Sequence, residues 1–212
     1  MLRKQMKQFV EKLIEEGKPT NGEGIALEVF KEEKDYIERH QLLPEGINSS
    51  LSLIEQVTFS RFQHDVYIER GNKETEELIA EESPAFLNHP ISYFKKNLEE
   101  FMYLESPWFD LIGVDAISFE ADSVFGNYDV MLGLKLPKKT EKLIKSYLIS
   151  SLEKEDVTFD LMFSAADGLW DLNFSLNDHS SFREDWTIRD AYQAIYELLF
   201  KLAEEVEEGS RE

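Results

Sequence analysis

In the stretch DVTFDLMFSAADGLWDLNFSLND, residues 156–178, aspartates alternate with large apolar side chains on both sides of Ala165-Ala166-Asp167-Gly168. Carboxylates at such spacing serve three kinds of chemistry. They line an active site or hold a hard cation, they attract a cationic partner, or they form the wet side of a hairpin. Asp167-Gly168 suits a tight hairpin turn that sets Phe163 against Leu172, Leu161 against Phe174 and Phe159 against Leu176, while a longer Ala165–Gly168 loop keeps the same faces with other partners. Asp156 and Asp178 then fall at strand ends. Asp160 and Asp171 point outward from mid-strand, with Thr158, Asn173 and Ser175 on the same side.

A second alternating pair of segments stands upstream. Val114–Ala121 and Tyr128–Leu136 flank Gly126-Asn127, a two-residue turn signal. That loop sets Phe125 against Tyr128, Phe119 against Leu134 and Ile117 against Leu136. The polar side of this hairpin carries Ser118, Glu120, Asp122, Asp129 and Lys135. Met131 and Met162 share the polar sides with Leu169, and methionine suits adaptable contact surfaces. The candidate binding set is therefore Glu120, Asp122, Asp129, Met131, Asp160, Met162, Asp171 and Asn173.

Other chemistry is poorly supported. His64-Asp65 with Glu69 has the composition of a general base and its orienting acid, but also that of a surface turn. His179 lies among Asp178, Ser180, Ser181 and Asp185. Residues so close in sequence rarely meet in triad geometry, so a polar loop is the plainer reading. No histidine has another within eight residues, and the chain lacks P-loop, dinucleotide-binding, HExxH and GxSxG patterns. No cofactor motif and no catalytic residue is assigned. Lys135, Lys138, Lys139, Lys142 and Lys145 run against the helix macrodipole at a helix start. They read as a solvated face, a phosphate contact, or partners for acids of the first half or of another subunit. Trp108, Trp170 and Trp186 read as core or boundary residues.

The elements that position these groups follow from periodicity. Pro137 opens a helix with Leu143, Ile144, Tyr147, Leu148 and Leu152 inward. Thr187 with Asp190 resembles a capping box ahead of a last helix lined by Ile188, Ala191, Tyr192, Ile195, Leu199, Leu202 and Val206. Residues 109–212 thus read as ββαββα, a four-stranded antiparallel sheet with its helices on one face. Residues 1–108 read as mainly helical. Helices are expected over Leu2–Ile14 with Gly17 as stop, Ile25–Leu42, the start of the Leu51–Arg70 stretch, Thr75–Glu82 and Ile91–Leu104. Glutamate outnumbers aspartate 19 to two before Phe109, and eleven of each follow. That split agrees with helices first and strands after. The fold class is α+β, with Glu105–Asp110 as the boundary candidate and sizes that allow one integrated unit or two subdomains.

The net charge of −20 opposes nucleic acid and anionic membranes and favours basic partners. Hydrophobic residues at 42% suffice for a core, and the chain has no cysteine for a disulfide or thiolate site. No apolar segment follows Met1-Leu2-Arg3-Lys4, and no window reaches the ~18 apolar residues of a membrane span. A cytoplasmic location is expected. The functional expectation is an acidic, non-catalytic adaptor, inhibitor or immunity-like protein that binds a basic protein through its sheet face, with self-association left open. The alternative is a small enzyme or ligand-binding protein whose acidic groove, between the two halves, holds a divalent cation. A weaker third reading is a mimic of DNA.

Overall fold

The structure is a computed structural model and describes residues 1–17, 25–44, 51–56, 61–152 and 159–210. The expected 18–24 loop, Asp156 and Thr158 lie outside the described residues. The chain forms two compact units, Met1–Arg61 and Phe62–Glu212, and the Glu105–Asp110 stretch falls inside the second.

In the first unit, α1 (Leu2–Glu16) buries Leu2, Met6 and Val10. Gly17 follows it with an extended backbone, and a Cβ there would sit 2.5 Å from the Ile25 side chain. The single helix expected over Ile25–Leu42 is instead β1 (Ile25–Val29) followed by α2 (Lys31–Arg39). The helix expected at Leu51 is β2 (Leu51–Glu55), which runs parallel to β1. Phe30 turns the chain from strand to helix with an extended backbone. Arg61, fully buried, holds Glu32 at 2.7 Å and Glu33 at 2.8 Å in the first turn of α2, and its guanidinium lies 4.3 Å from the centre of the Phe30 ring. Acids in a first turn suit the helix dipole, and the guanidinium neutralises what burial would otherwise leave uncompensated.

The second unit is built on a seven-stranded antiparallel sheet, not a four-stranded one. Its strands are β3 (Tyr67–Asn72), β4 (Leu78–Glu81), β5 (Glu100–Glu105), β6 (Val114–Ala121), β7 (Tyr128–Leu134), β8 (Phe159–Ser164) and β9 (Leu169–Ser175). Their order is β4-β3-β5-β6-β7-β9-β8. The helix expected over Thr75–Glu82 is thus a turn and β4. The helix expected over Ile91–Leu104 is the short α3 (Tyr93–Lys96) and β5. Among the described residues of 1–108 there are five strands, β1 to β5, where helices alone are expected. The sheet extends across the expected boundary because β5 pairs with β6.

The two hairpins keep their expected faces but not their expected pairs. Ala121 pairs with Tyr128, Phe119 with Val130 and Ile117 with Leu132. Asp122–Asn127 is therefore a six-residue loop, and partners sit four residues away from those a two-residue turn gives. In the other hairpin Ser164 pairs with Leu169, Phe163 with Trp170 and Leu161 with Leu172, around a four-residue Ala165–Gly168 loop. Both offsets are even, so no side chain changes face.

One face of the sheet is the core. Met102, Leu104, Ile117, Phe119, Val130, Leu132, Trp170, Leu172 and Phe174 are buried along it. Against it lies α6 (Ile188–Gly209), whose seven expected inward residues are all buried. The Tyr192 hydroxyl donates to the Ile117 carbonyl at 3.3 Å. The Phe119 ring stacks on Tyr128 at 5.7 Å and meets Phe94 edge-on at 5.5 Å. The capping box of α6 is complete, with Thr187 accepting from the Asp190 amide and Asp190 from the Thr187 amide. α5 (Glu141–Ser151) packs along α6 and buries Ile144 and Leu148, while α4 (Pro107–Ile112) ends at Gly113 in the left-handed conformation.

Phe119→Ala should cost about 3–5 kcal/mol, because a fully buried ring leaves a cavity. Thr187→Ala should cost about 1 kcal/mol through the lost cap. Urea denaturation of the two variants checks both, and the loss from Phe119→Ala should exceed that from Thr187→Ala.

Candidate functional site

The face of the sheet opposite α6 carries the candidate residues in register. One row across the strands reads Phe101, Glu120, Asp129, Ser175. The next reads Tyr103, Ser118, Met131, Asn173, Asp160. A third reads Gly133, Asp171, Met162. Period-two alternation on five paired strands makes this arrangement: the partners of core residues are core residues, so the polar residues are left to share the other side. Seven of the eight residues singled out from sequence stand in these rows.

The eighth, Asp122, lies just past the end of β6. Its carboxylate accepts from the backbone amides of Val124 and Phe125, and its own amide donates to the Asn127 carbonyl at 2.8 Å. Gly126 closes the loop at φ +70°, a conformation glycine adopts without strain. Asp122 therefore shapes the loop. Phe125, expected to face Tyr128 inside the hairpin, is at the loop tip and 81% exposed, beside Val124 at 76%.

Asp122, Asp129, Asp160 and Asn173 line one groove of about 300 Å³, together with Phe125, Phe159 and Ser175. Glu120 stands next to Asp129 in its row but is held by Lys73 at 3.0 Å. The same ammonium donates to the Ala121 carbonyl at 2.6 Å. Met131 borders Asn173 and is half-buried, whereas Asp171 and Met162 form an exposed pair one row away. The residues singled out from sequence thus share one face, which the structure divides into a groove and a flank.

Electrostatics single out Asp129. Burial, with Asp122 and then Glu120 adding to it, holds its carboxyl above the ordinary carboxylate range, and Lys73 acts in the opposite direction. Like charges on neighbouring strand positions repel. Among the described residues, the acids of this groove do not bring three ligand oxygens together as a hard cation requires.

A second acidic groove, missed from sequence, is lined by Asp65, Tyr67, Glu105, Asp110 and Asp115 and encloses about 460 Å³. Asp115 is paired with Lys135. The Tyr103 hydroxyl donates to Glu105 at 2.7 Å, and burial with that bond pushes Tyr103 up to about 12. These acids come from the turn before β3, the end of β5, α4 and the start of β6, and their spacing matches no motif.

The remaining candidates resolve into structural roles. His64 and Asp65 are both exposed in the turn before β3, and Glu69 accepts from Tyr67 at 2.6 Å. His179 Nδ1 is 2.8 Å from Ser181 Oγ, but Asp185 is engaged by Arg183 through both carboxylate oxygens. In the lysine cluster, Lys145 pairs with Glu141 at 2.6 Å and Lys138 lies over the Phe163 ring, so with Lys135 three of the five meet groups of their own half. Trp170 is buried, while Trp108 and Trp186 are half-buried.

Comparison with protein-family models, curated proteins and solved structures finds no match to this chain.

Asp129 gives the site a pH signature. A carboxyl raised in the fold holds a proton that the unfolded chain releases, so stability falls as pH rises from the ordinary aspartate range through the raised value. Asp129→Asn should therefore raise the melting temperature at neutral pH, by a few tenths to about 1 kcal/mol of stability. The gain should close as the pH drops below the ordinary aspartate range. Thermal denaturation of both proteins across that pH range measures it.

Proposed function

We propose that this chain is a non-catalytic binding protein, an adaptor, inhibitor or immunity-like factor, that takes a basic protein partner on the acidic face of its antiparallel sheet. The observation that carries the reading is the face itself. Asp129 and Asp160 line a groove whose rim bears an 81% exposed Phe125, and Met162 stands nearby at 68% exposure. Exposed apolar groups beside concentrated charge are what a protein interface needs. The apolar groups supply burial, while the charges steer and orient the encounter. The charge of −20 extends the attraction over the whole surface. Lys73 pairs with Glu120 and offsets the repulsion at Asp129 only in part, so that repulsion is relieved further when a cation arrives from outside.

A second reading draws on the groove's volume of about 300 Å³, which admits a small cationic ligand. The two readings separate in a thermal-shift screen. A small amine or divalent cation that raises the melting temperature by itself favours the second.

The first reading is tested by affinity capture from source lysate with the wild-type chain and with Asp129→Lys/Asp160→Lys. The wild type should retain a basic protein at low salt and release it at high salt. The double variant, folded by circular dichroism, should retain about tenfold less. Equal retention by the variant, or no retained protein at either salt, overturns the reading.

A further inference from the structure

We propose that β8 is a docking edge, and that the partner's contact is an extended segment bearing lysine or arginine at alternate positions, which adds to the sheet as an eighth strand beside Asp160 and Met162. The inference rests on the acidic-face reading above and names how the partner is held.

The sheet has two ends, and they differ in chemistry. β4 is four residues long, and Glu77 and Glu82 flank it. Its Glu81 faces Glu69 across the ladder, and the β3–β4 register shifts between Arg70 and Gly71. Short length, clustered charge and an irregular ladder are the devices that keep a further strand off an edge. β8 has none of them. It is six residues long, pairs with β9 without a register shift, and contains one charge, Asp160, and no proline or lysine. Its outer side has no strand partner among the described residues. Met162 is 68% exposed, and Phe159, Leu161 and Phe163 are only partly covered.

Pairing on such an edge is carried by main-chain hydrogen bonds, and side chains of alternate residues select the sequence. Residues of an added strand would continue the existing rows. Those in line with Leu161 and Phe163 meet apolar neighbours. Those in line with Asp160 reach the groove, where Asp129 stands two strands further in. The edge thus asks for a segment that alternates apolar and basic residues. A second copy of this chain would bring its own charge of −20 to an acidic edge, so charge complementarity favours a basic partner.

The test uses the full chain and a short synthetic peptide that alternates valine and lysine, with two further versions N-methylated at one or the other set of alternate amides. The unmodified peptide should bind by fluorescence anisotropy at low salt. One methylated version should bind about tenfold more weakly and the other should not. Bound peptide should slow hydrogen exchange at the amides of β8. Met162→Lys should weaken binding, while Ile79→Lys on the opposite edge should leave it unchanged. Both sites are exposed, so neither change threatens the fold. If the peptide binds and neither methylation matters, charge alone holds it. The edge proposal is then overturned and the acidic-face reading stands. If no peptide binds while the lysate capture still depends on Asp129 and Asp160, the edge proposal alone falls. If neither occurs, both fall. If the chain self-associates and Met162→Lys returns it to a monomer, a second copy occupies the edge and the proposal is overturned.

Discussion

Everything in the second unit depends on one apolar layer, the inner rows of the sheet pressed against α6. Burial of the Phe119 and Tyr192 rings at its centre fixes which side of each strand faces inward. Because side chains alternate, the same burial decides what is left outside. The acidic face is the complement of the core. No acid on it needs a dedicated device to point outward. Only Asp122, at a loop, is placed by its own hydrogen bonds.

The face that results is electrostatically costly. Glu120 and Asp129 are direct neighbours, and Asp122 is close enough to act on Asp129. Lys73, from the turn between β3 and β4, offsets part of that cost through Glu120. The arrangement is tolerable in a sheet whose other face supplies the stability. A four-stranded sheet with a smaller inner layer would bear it less easily. The added strands β3 to β5 therefore matter to the site without contributing a residue to its groove.

The second half of the chain was legible because its alternation survives any even change in loop length. A two-residue turn at Gly126-Asn127 gave wrong partners for Phe119 and Ile117 but right faces, and a two-residue turn at Asp167-Gly168 did the same for the other hairpin, whose loop is Ala165–Gly168. The strands of the first half were hidden by their glutamates. Glu69, Glu81, Glu82, Glu100 and Glu105 favour helices by propensity, yet all lie in or beside strands. Their local preference is overridden by pairing and by partners remote in sequence. Arg70 binds both Glu82 and Glu100, while Tyr67 and Tyr103 donate to Glu69 and Glu105. Phe101 and Met102 satisfied a helical spacing as well as a strand's, and nothing local could decide between them. Phe125 was misread for the opposite reason, because a large apolar residue beside a hairpin resembles a strand residue even when the loop carries it into solvent.

The position of α6 in the chain has a consequence for biosynthesis. The helix follows the nine strands of the described residues in sequence. Sheet neighbours are mostly close along the chain, so the strands can pair in turn as they leave the ribosome, with the β7–β9 ladder waiting for the crossover through α5. Until then α3 and α4 lie against part of the inner rows, and the cover of α6 is missing. Translation thus leaves the core of this unit incomplete until α6 emerges. The nascent chain is most in need of a chaperone just before it is able to do without one.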